Sequence, residues 1–394
     1  MRLPKESELS AEQKEICFAP SVGTTLVAGP PGSGKTVVAL YRSRSLEKRK
    51  ETAHMLVYNK VLRQYTKGQQ TFLKWLGDWW RRATGRSFPY TFELVQRGKR
   101  TWRQRRWDYK AAIAAIRADG NGLFRTAEAH WGHMILDEAQ DFEADAHRFL
   151  FAVQQIGFAE IHPREKPSLM ILADENQRLT DQNTTLEEIR AAYIMEDDDT
   201  YRLTRNYRNS REIAEFARTF YVGLSTGQPE LPSSRGEKPR IVRTSKLNQA
   251  VDKIARYAQA HEDEEIAVLV YYNATRKRFY NKLHHRFEDS TIRVQTYSSQ
   301  DKDTDGSDLR FDAGGVITVL CFASAKGLEF DAVFLPELQS FPTTAGRRDE
   351  ARMTLYVMTS RARRTLHLML SDSDGEADVW KLLPSDSDLY ILEE

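Results

Sequence analysis

The sequence is short of cysteine, of net charge and of long apolar runs, and each shortage closes off a class of protein. Only Cys17 and Cys321 occur in 394 residues. That is too few for a secreted, disulfide-stapled framework, and both read as buried thiols of a reducing compartment. The formal net charge is +2, so bulk charge announces no nucleic-acid partner and any basic surface must be local. No run approaches the ~20 apolar residues of a membrane-spanning helix. The opening "MRLPKESELS" lacks the apolar centre of a signal peptide. The expectation is a soluble cytoplasmic protein without a membrane partner. A hydrophobic content of 40% suffices for about two domains with cores of ordinary size.

What is present begins with strands. "TTLVAG", "HMLVYN", "HMILDEA", "SLMILAD", "PRIVRT", "EIAVLVYY", "GVITVLC", "DAVFLPE" and "TLHLML" are near-continuously apolar, as strands covered on both faces are. Helical patterns separate them, which predicts an α/β fold with mainly parallel sheets. The acidic, unpatterned "EDDDTYRL" marks a junction. The expected domains are therefore 1–198, with a short basic and aromatic insertion at 76–130, and 199–394, with an acidic tail.

Gly29-Pro30-Pro31-Gly32-Ser33-Gly34-Lys35-Thr36 lies between an apolar strand and a helical pattern, the context in which a P-loop binds phosphate. Its glycines let backbone N–H groups point at phosphate oxygens, aided by the helix N-terminus. Lys35 is expected on the β- and γ-phosphates of ATP, and Thr36 on Mg²⁺. "HMILDEAQD" then ends a strand in Asp137-Glu138. Asp137 suits holding Mg²⁺, and Glu138 suits polarising the attacking water. Two adjacent carboxylates with different tasks favour hydrolysis over transfer to a small acceptor.

From these motifs the chain resembles superfamily 1 helicases of the UvrD/Rep/PcrA-like group, in a compact form without the large insertions. "LSAEQKEI" is similar to the glutamine motif, which implies that Gln13 reads adenine. "LADENQRL" implies a γ-phosphate sensor in Gln177. "LTRNYRNSREIAEF" implies that Tyr207 stacks on the base and Arg208 reaches the γ-phosphate. "FASAKGLEFDAVFLP" places Gly327 and Glu329 by the nucleotide, Glu329 near the ribose, and Ser324 by the strand. "LYVMTSRARR" makes Arg361 an arginine finger. The resemblance implies two RecA-like P-loop domains with ATP between them, and single-stranded nucleic acid, DNA rather than RNA, across their tops. Asn59, Lys60, Thr71, Phe72 and Trp75 are the implied strand contacts on the first domain.

The departures fall unevenly. Val37 replaces the arginine that usually follows the P-loop threonine, and Leu73 replaces a customary histidine. Cys321 and Ala323 stand where the fifth motif has threonine and histidine, and "TDQNTTL" replaces a tryptophan-arginine pair. The ATP half is nearly intact and the nucleic-acid half is altered. The resulting expectation is an ATP-driven single-strand DNA translocase or helicase. One alternative is a DNA-sensing ATPase switch that regulates a partner nuclease in DNA processing or anti-phage defence. A second is a small-molecule phosphotransferase.

Other segments stay open. Residues Arg97 to Lys110 hold seven Lys or Arg, two Trp and a Tyr. Together with the preceding "KWLGDWWRRATGR", they suit either a nucleic-acid platform or a solvated basic helix with its Trp packed inward. Asp301, Asp303, Asp305 and Asp312 imitate a calcium loop but lack its final Glu, so a polar hairpin is preferred. His130 and His133 have metal-like spacing without companion ligands. The acidic tail reads as a flexible end.

Overall fold

The computed structural model describes every residue except 1–3, 58–69, 98–99, 125–126, 163–164, 178–182, 225, 245, 299–307, 312, 344–347, 371–377 and 394; for a few others, Gln177 among them, it describes the backbone only. The first half of the chain runs α1 (Ala11–Phe18), β1 (Thr24–Ala28), α2 (Lys35–Lys48), β2 (Ala53–Val57), β3 (Gln70–Thr71), α3 (Phe72–Thr84), β4 (Tyr90–Arg97), β5 (Arg100–Trp107), α4 (Tyr109–Asp119), β6 (His133–Asp137), α5 (Ala144–Ala152), β7 (Ser168–Ala173), α6 (Leu186–Tyr193) and β8 (Thr200–Arg202). The second half runs α7 (Arg211–Arg218), β9 (Arg240–Arg243), α8 (Leu247–Ala260), β10 (Glu265–Val270), α9 (Asn273–Arg286), β11 (Arg293–Tyr297), β12 (Val316–Cys321), β13 (Phe330–Leu335), α10 (Arg348–Thr359), β14 (Ala362–Leu370) and β15 (Ile391–Glu393).

Two large sheets result, ordered β3-β2-β6-β7-β1-β8 and β11-β12-β10-β13-β14-β9-β15. Every pairing in them is parallel, as the α/β expectation required. Successive strand residues point to opposite faces, and both faces are covered. Leu26, Leu136 and Ile171 enter one core of the first sheet, while Val27, Ile135 and Leu172 enter the other. In the second sheet Leu269 and Val333 face one core, and Val268 and Phe334 the other. Each large apolar side chain so buried stabilises the fold by about 1.5–3 kcal/mol relative to exposure. That is why these strands read as unbroken apolar runs.

The edges differ from the sequence reading. β8 pairs with β1, so the first sheet takes its last strand from beyond residue 198. The tail adds β15 to the edge of the second sheet beside β9. Glu393 there meets Arg240 at 2.5 Å and also pairs with Lys253, so this part of the tail is docked rather than a loose end. The basic stretch divides: "KWLGDWWRRATGR" lies mostly in α3 with its Trp packed inward, whereas β4 and β5 form an antiparallel hairpin. His130 Nε2 donates to Glu165 O at 2.7 Å, and His133 meets Glu51 at 2.7 Å, so both serve the fold. Most of the calcium-like loop lies outside the described residues. Among the described residues no helix is long and apolar enough to cross a membrane.

Candidate active site between the two sheets

The P-loop leaves the carboxyl end of β1, where ligands sit in open α/β sheets. Gly32 and Gly34 have φ of +80° and +88°, a left-handed backbone that favours glycine. The turn is also close-packed: a Cβ on Gly32 would displace the Asn206 amide, and one on Gly34 the Gln13 amide. Pro30, Pro31 and Ser33 are buried in the loop, and the Ser33 hydroxyl has no hydrogen-bond partner among the described residues. Lys35 Nζ lies 2.7 Å from Gly29 O, 3.1 Å from Pro30 O and 3.3 Å from Asp174 Oδ2. Thr36 Oγ1 donates to Asp137 Oδ2 at 2.7 Å.

Asp137 ends β6 and is fully buried. Burial, then the neighbouring Glu138 charge, pushes its carboxyl up to about 6. Glu138 takes a left-handed backbone, φ +54°, the kind of local strain that marks functional turns. Its burial opposes ionisation, but Lys326, Lys35, the Gln140 amide and Arg361 outweigh that and hold the carboxyl below its ordinary value. Gln140 Nε2 donates to Glu138 Oε2 at 2.6 Å, while Gln140 Oε1 accepts from the Asp174 N–H at 3.0 Å. The two carboxylates of one strand end are thus driven apart in acidity.

The second sheet closes the site. Tyr207 N–H donates to Gly32 O at 2.9 Å. Asn206 Oδ1 accepts from the Arg208 N–H at 2.9 Å, and Asn209 Nδ2 donates to Ser360 O at 3.1 Å. This short polar turn therefore ties the P-loop to the start of β14. Arg208 Nε and Arg363 Nη2 each donate to Glu329, both at 2.8 Å. Burial alone would raise Glu329, yet Arg208 and Arg363 bring its carboxyl down to about 2. Lys326 reaches across to pair with Asp141, which Asn183 Nδ2 also contacts at 2.5 Å.

A cavity of about 280 Å³ lies between these walls, lined by Gln13, Gly32, Gly34, Lys35, Thr36, Val37 and Glu138 on one side and by Tyr207, Arg208, Gly327, Glu329 and Arg363 on the other. Tyr207 is 45% exposed, so its ring is available to a ligand. Gln13 is engaged within the fold: its amide donates to Ser33 O and accepts from the Ser10 N–H, both at 3.1 Å. Arg361 lies behind the wall, fully buried, donating to Val357 O at 2.9 Å and Leu328 O at 3.1 Å. Burial and Arg208 lower it to about 9, while the Glu138, Asp174 and Glu329 charges act in the other direction. Its guanidinium therefore sits in the field of carboxylates from both sheets.

The strand-contact expectations fare differently. Thr71 and Ser324 are half-buried beside the carboxyl ends of their sheets. Phe72 and Trp75 are 1% and 2% exposed, which corrects their reading as nucleic-acid contacts. Phe72 packs edge-on to Phe142 with centroids 4.8 Å apart, and Trp75 stacks on Trp79 at 5.5 Å; both are core. Asn59, Lys60 and the Gln177 side chain lie outside the described residues.

Sequence reasoning passed over Asp174, Arg363 and the Asp141–Lys326 pair. Asp174 follows β7 as Glu138 follows β6, and Arg363 lies at the start of β14, two positions after Arg361 in the turn before it, so position at a strand end could have found both. The cross-sheet pair leaves no local signal.

The sequence family described as Schlafen group 3, DNA/RNA helicase domain, matches residues 23–335. No curated protein matches the chain. A solved structure, the C-terminal domain of a possible DNA helicase from Lactobacillus plantarum WCFS1, is similar at 23% identity over 48% of this chain and 99% of that one, with a TM-score of 0.34. Because that family matches more than half of it, residues 23–335, the chain belongs to the Schlafen group 3 DNA/RNA helicase domain family.

Proposed function

We propose that the chain is a nucleic-acid-dependent ATPase that couples ATP turnover to movement on a single strand, DNA rather than RNA. Among helicases we group it with the UvrD/Rep/PcrA-like proteins, on the order of its motifs. One observation carries the reading: Lys35, Thr36 and Glu138 from the first half of the chain share a cavity with Tyr207, Arg208 and Glu329 from the second.

The roles follow from the chemistry of each group. Lys35, resting on two carbonyls and Asp174, exchanges them for phosphate oxygens. Glu138, held ionised, accepts a proton from the attacking water. Tyr207 offers its ring to the base, and Gly327 gives room beside it. Arg208 and Arg361 bring positive charge to oxygens that gain charge as the phosphoryl group leaves, and Glu329 fixes the direction of Arg208. The Thr36 hydroxyl and Asp137 carboxylate form an oxygen donor set suited to a hard divalent cation. Mg²⁺ held there would neutralise phosphate charge.

A second reading keeps the ATPase as a switch that licenses a partner nuclease. The burial of Phe72 and Trp75 favours it, because two strand contacts expected of a motor are removed. The test is ATP hydrolysis alone, with single-stranded DNA, with duplex and with RNA, followed by a forked substrate. Single-strand stimulation with unwinding supports the motor, and stimulation without unwinding supports the switch. Turnover indifferent to every nucleic acid sinks both and leaves a phosphotransferase.

A further inference from the structure

We propose that the β4–β5 hairpin is a binding arm for single-stranded nucleic acid, and that the face bearing Tyr90, Phe92, Arg103 and Arg105 makes the contact. The proposal rests on the reading above that the cleft answers to a nucleic acid. Cross-strand pairing sets Tyr90 opposite Trp107, Phe92 opposite Arg105 and Leu94 opposite Arg103. Residues facing one another across an antiparallel pair share a face, so rings and guanidinium groups interleave along one side.

That side is open. Tyr90, Phe92 and Leu94 are 47%, 52% and 70% exposed. The Arg103 guanidinium lies over the Phe92 ring at 4.4 Å, and that of Arg105 over Tyr90 at 3.9 Å. Cation–π stacking fixes each planar group through its face and leaves its N–H edge free to bond phosphate. No carboxylate among the described residues pairs with Arg103 or Arg105. Arg106, on the opposite face, is different: Glu93 holds it at 2.7 Å and Glu143 at 3.6 Å.

The base of the arm is anchored. The Trp107 ring meets Phe88 with centroids 4.9 Å apart, and a Cβ on Gly77 would lie 3.0 Å from its edge. Through Arg106, the base is also tied to Glu143, in the segment that follows Asp137 and Glu138. The arm is thus anchored on α3 and on the segment that follows the candidate carboxylates. Fixed cations without counter-charges fit a polyanion. Rings left in solvent beside them fit unpaired bases, whose faces a duplex keeps stacked inside itself. Together these choose single strands over duplex.

The test is fluorescence anisotropy of a labelled oligothymidylate strand, a duplex and an unlabelled polyglutamate competitor over a salt series. Arg103→Gln with Arg105→Gln should reduce the salt slope of log affinity by about 1.4, two phosphate contacts' worth for a single strand. Phe92→Ala should weaken single-strand binding about tenfold. Thermal midpoints should stay at the wild-type value. Wild-type single-strand affinity and salt slope in the folded variants would overturn the arm while leaving the ATPase reading intact. So would equal binding of duplex, or displacement of the strand by polyglutamate at matched charge. If the unaltered chain binds no nucleic acid at all, the functional reading itself fails.

Discussion

The cleft and the hairpin arm both present arginines beside an exposed ring, yet they hold these arginines in opposite ways. In the cleft, Arg208 and Arg363 converge on Glu329 and Lys326 on Asp141. Lys326 is buried, Arg208 and Arg363 are half-buried, and all three are aimed. On the arm, Arg103 and Arg105 lie on exposed rings with no carboxylate beside them among the described residues. A guanidinium held by a fixed counter-charge can stabilise charge that appears only at one moment of a reaction, because its position costs nothing to set up then. One resting on a ring is available to any phosphate that passes. The tryptophans make the same point. Trp75, Trp79 and Trp80 recur along one face of α3 and are buried, whereas Trp102, in a two-residue alternation, is 55% exposed.

The contrast can be broken in several places. Glu138→Gln should lower ATP turnover by about 1,000-fold or more, the loss of a positioned base, in a stopped assay of phosphate release with single-stranded DNA present. Trp79→Ala should cost about 3–5 kcal/mol in a urea titration, since it empties a large space in the first core. Glu329→Gln should cost about 3 kcal/mol by leaving Arg208 and Arg363 without their shared carboxylate.

That variant also carries a pH signature. Glu329 is held down to about 2 in the fold against an ordinary value of 4.5. Its contribution is therefore full above about 4.5 and is lost as pH falls towards 2. The acid limb of stability over that window should flatten in Glu329→Gln. Last and smallest, Trp102→Ala should shift stability by less than about 0.5 kcal/mol. A loss as large as that of Trp79→Ala would show the arm to be packed rather than free.

The legible and the illegible parts of the molecule divide along physical lines. "SLMILAD" and "EIAVLVYY" announce β7 and β10 because a strand buried on both faces must be apolar throughout. The Gly29–Thr36 turn after β1 and the strand that ends at Asp137 are legible because backbone geometry restricts residue type over a few neighbouring positions. The arm is not, since a hairpin in solvent needs no apolar pattern and its arginines mask its alternation. β3, β8 and β15 are two- or three-residue edges, too short for any period. Phe72 and Trp75 mislead because motif likeness locates a residue along the chain but not the face of the helix it occupies. Glu329 pairs with Arg208 across 121 positions, a relation that only folding creates.

The measurement nearest to the central claim is the turnover of Arg208→Ala beside the unaltered protein, with ATP binding followed in parallel by a fluorescent analogue. If the second sheet completes the hydrolytic centre, kcat should fall about 1,000-fold while the analogue still binds within a few-fold. A variant that hydrolyses ATP at the original rate would contradict the account.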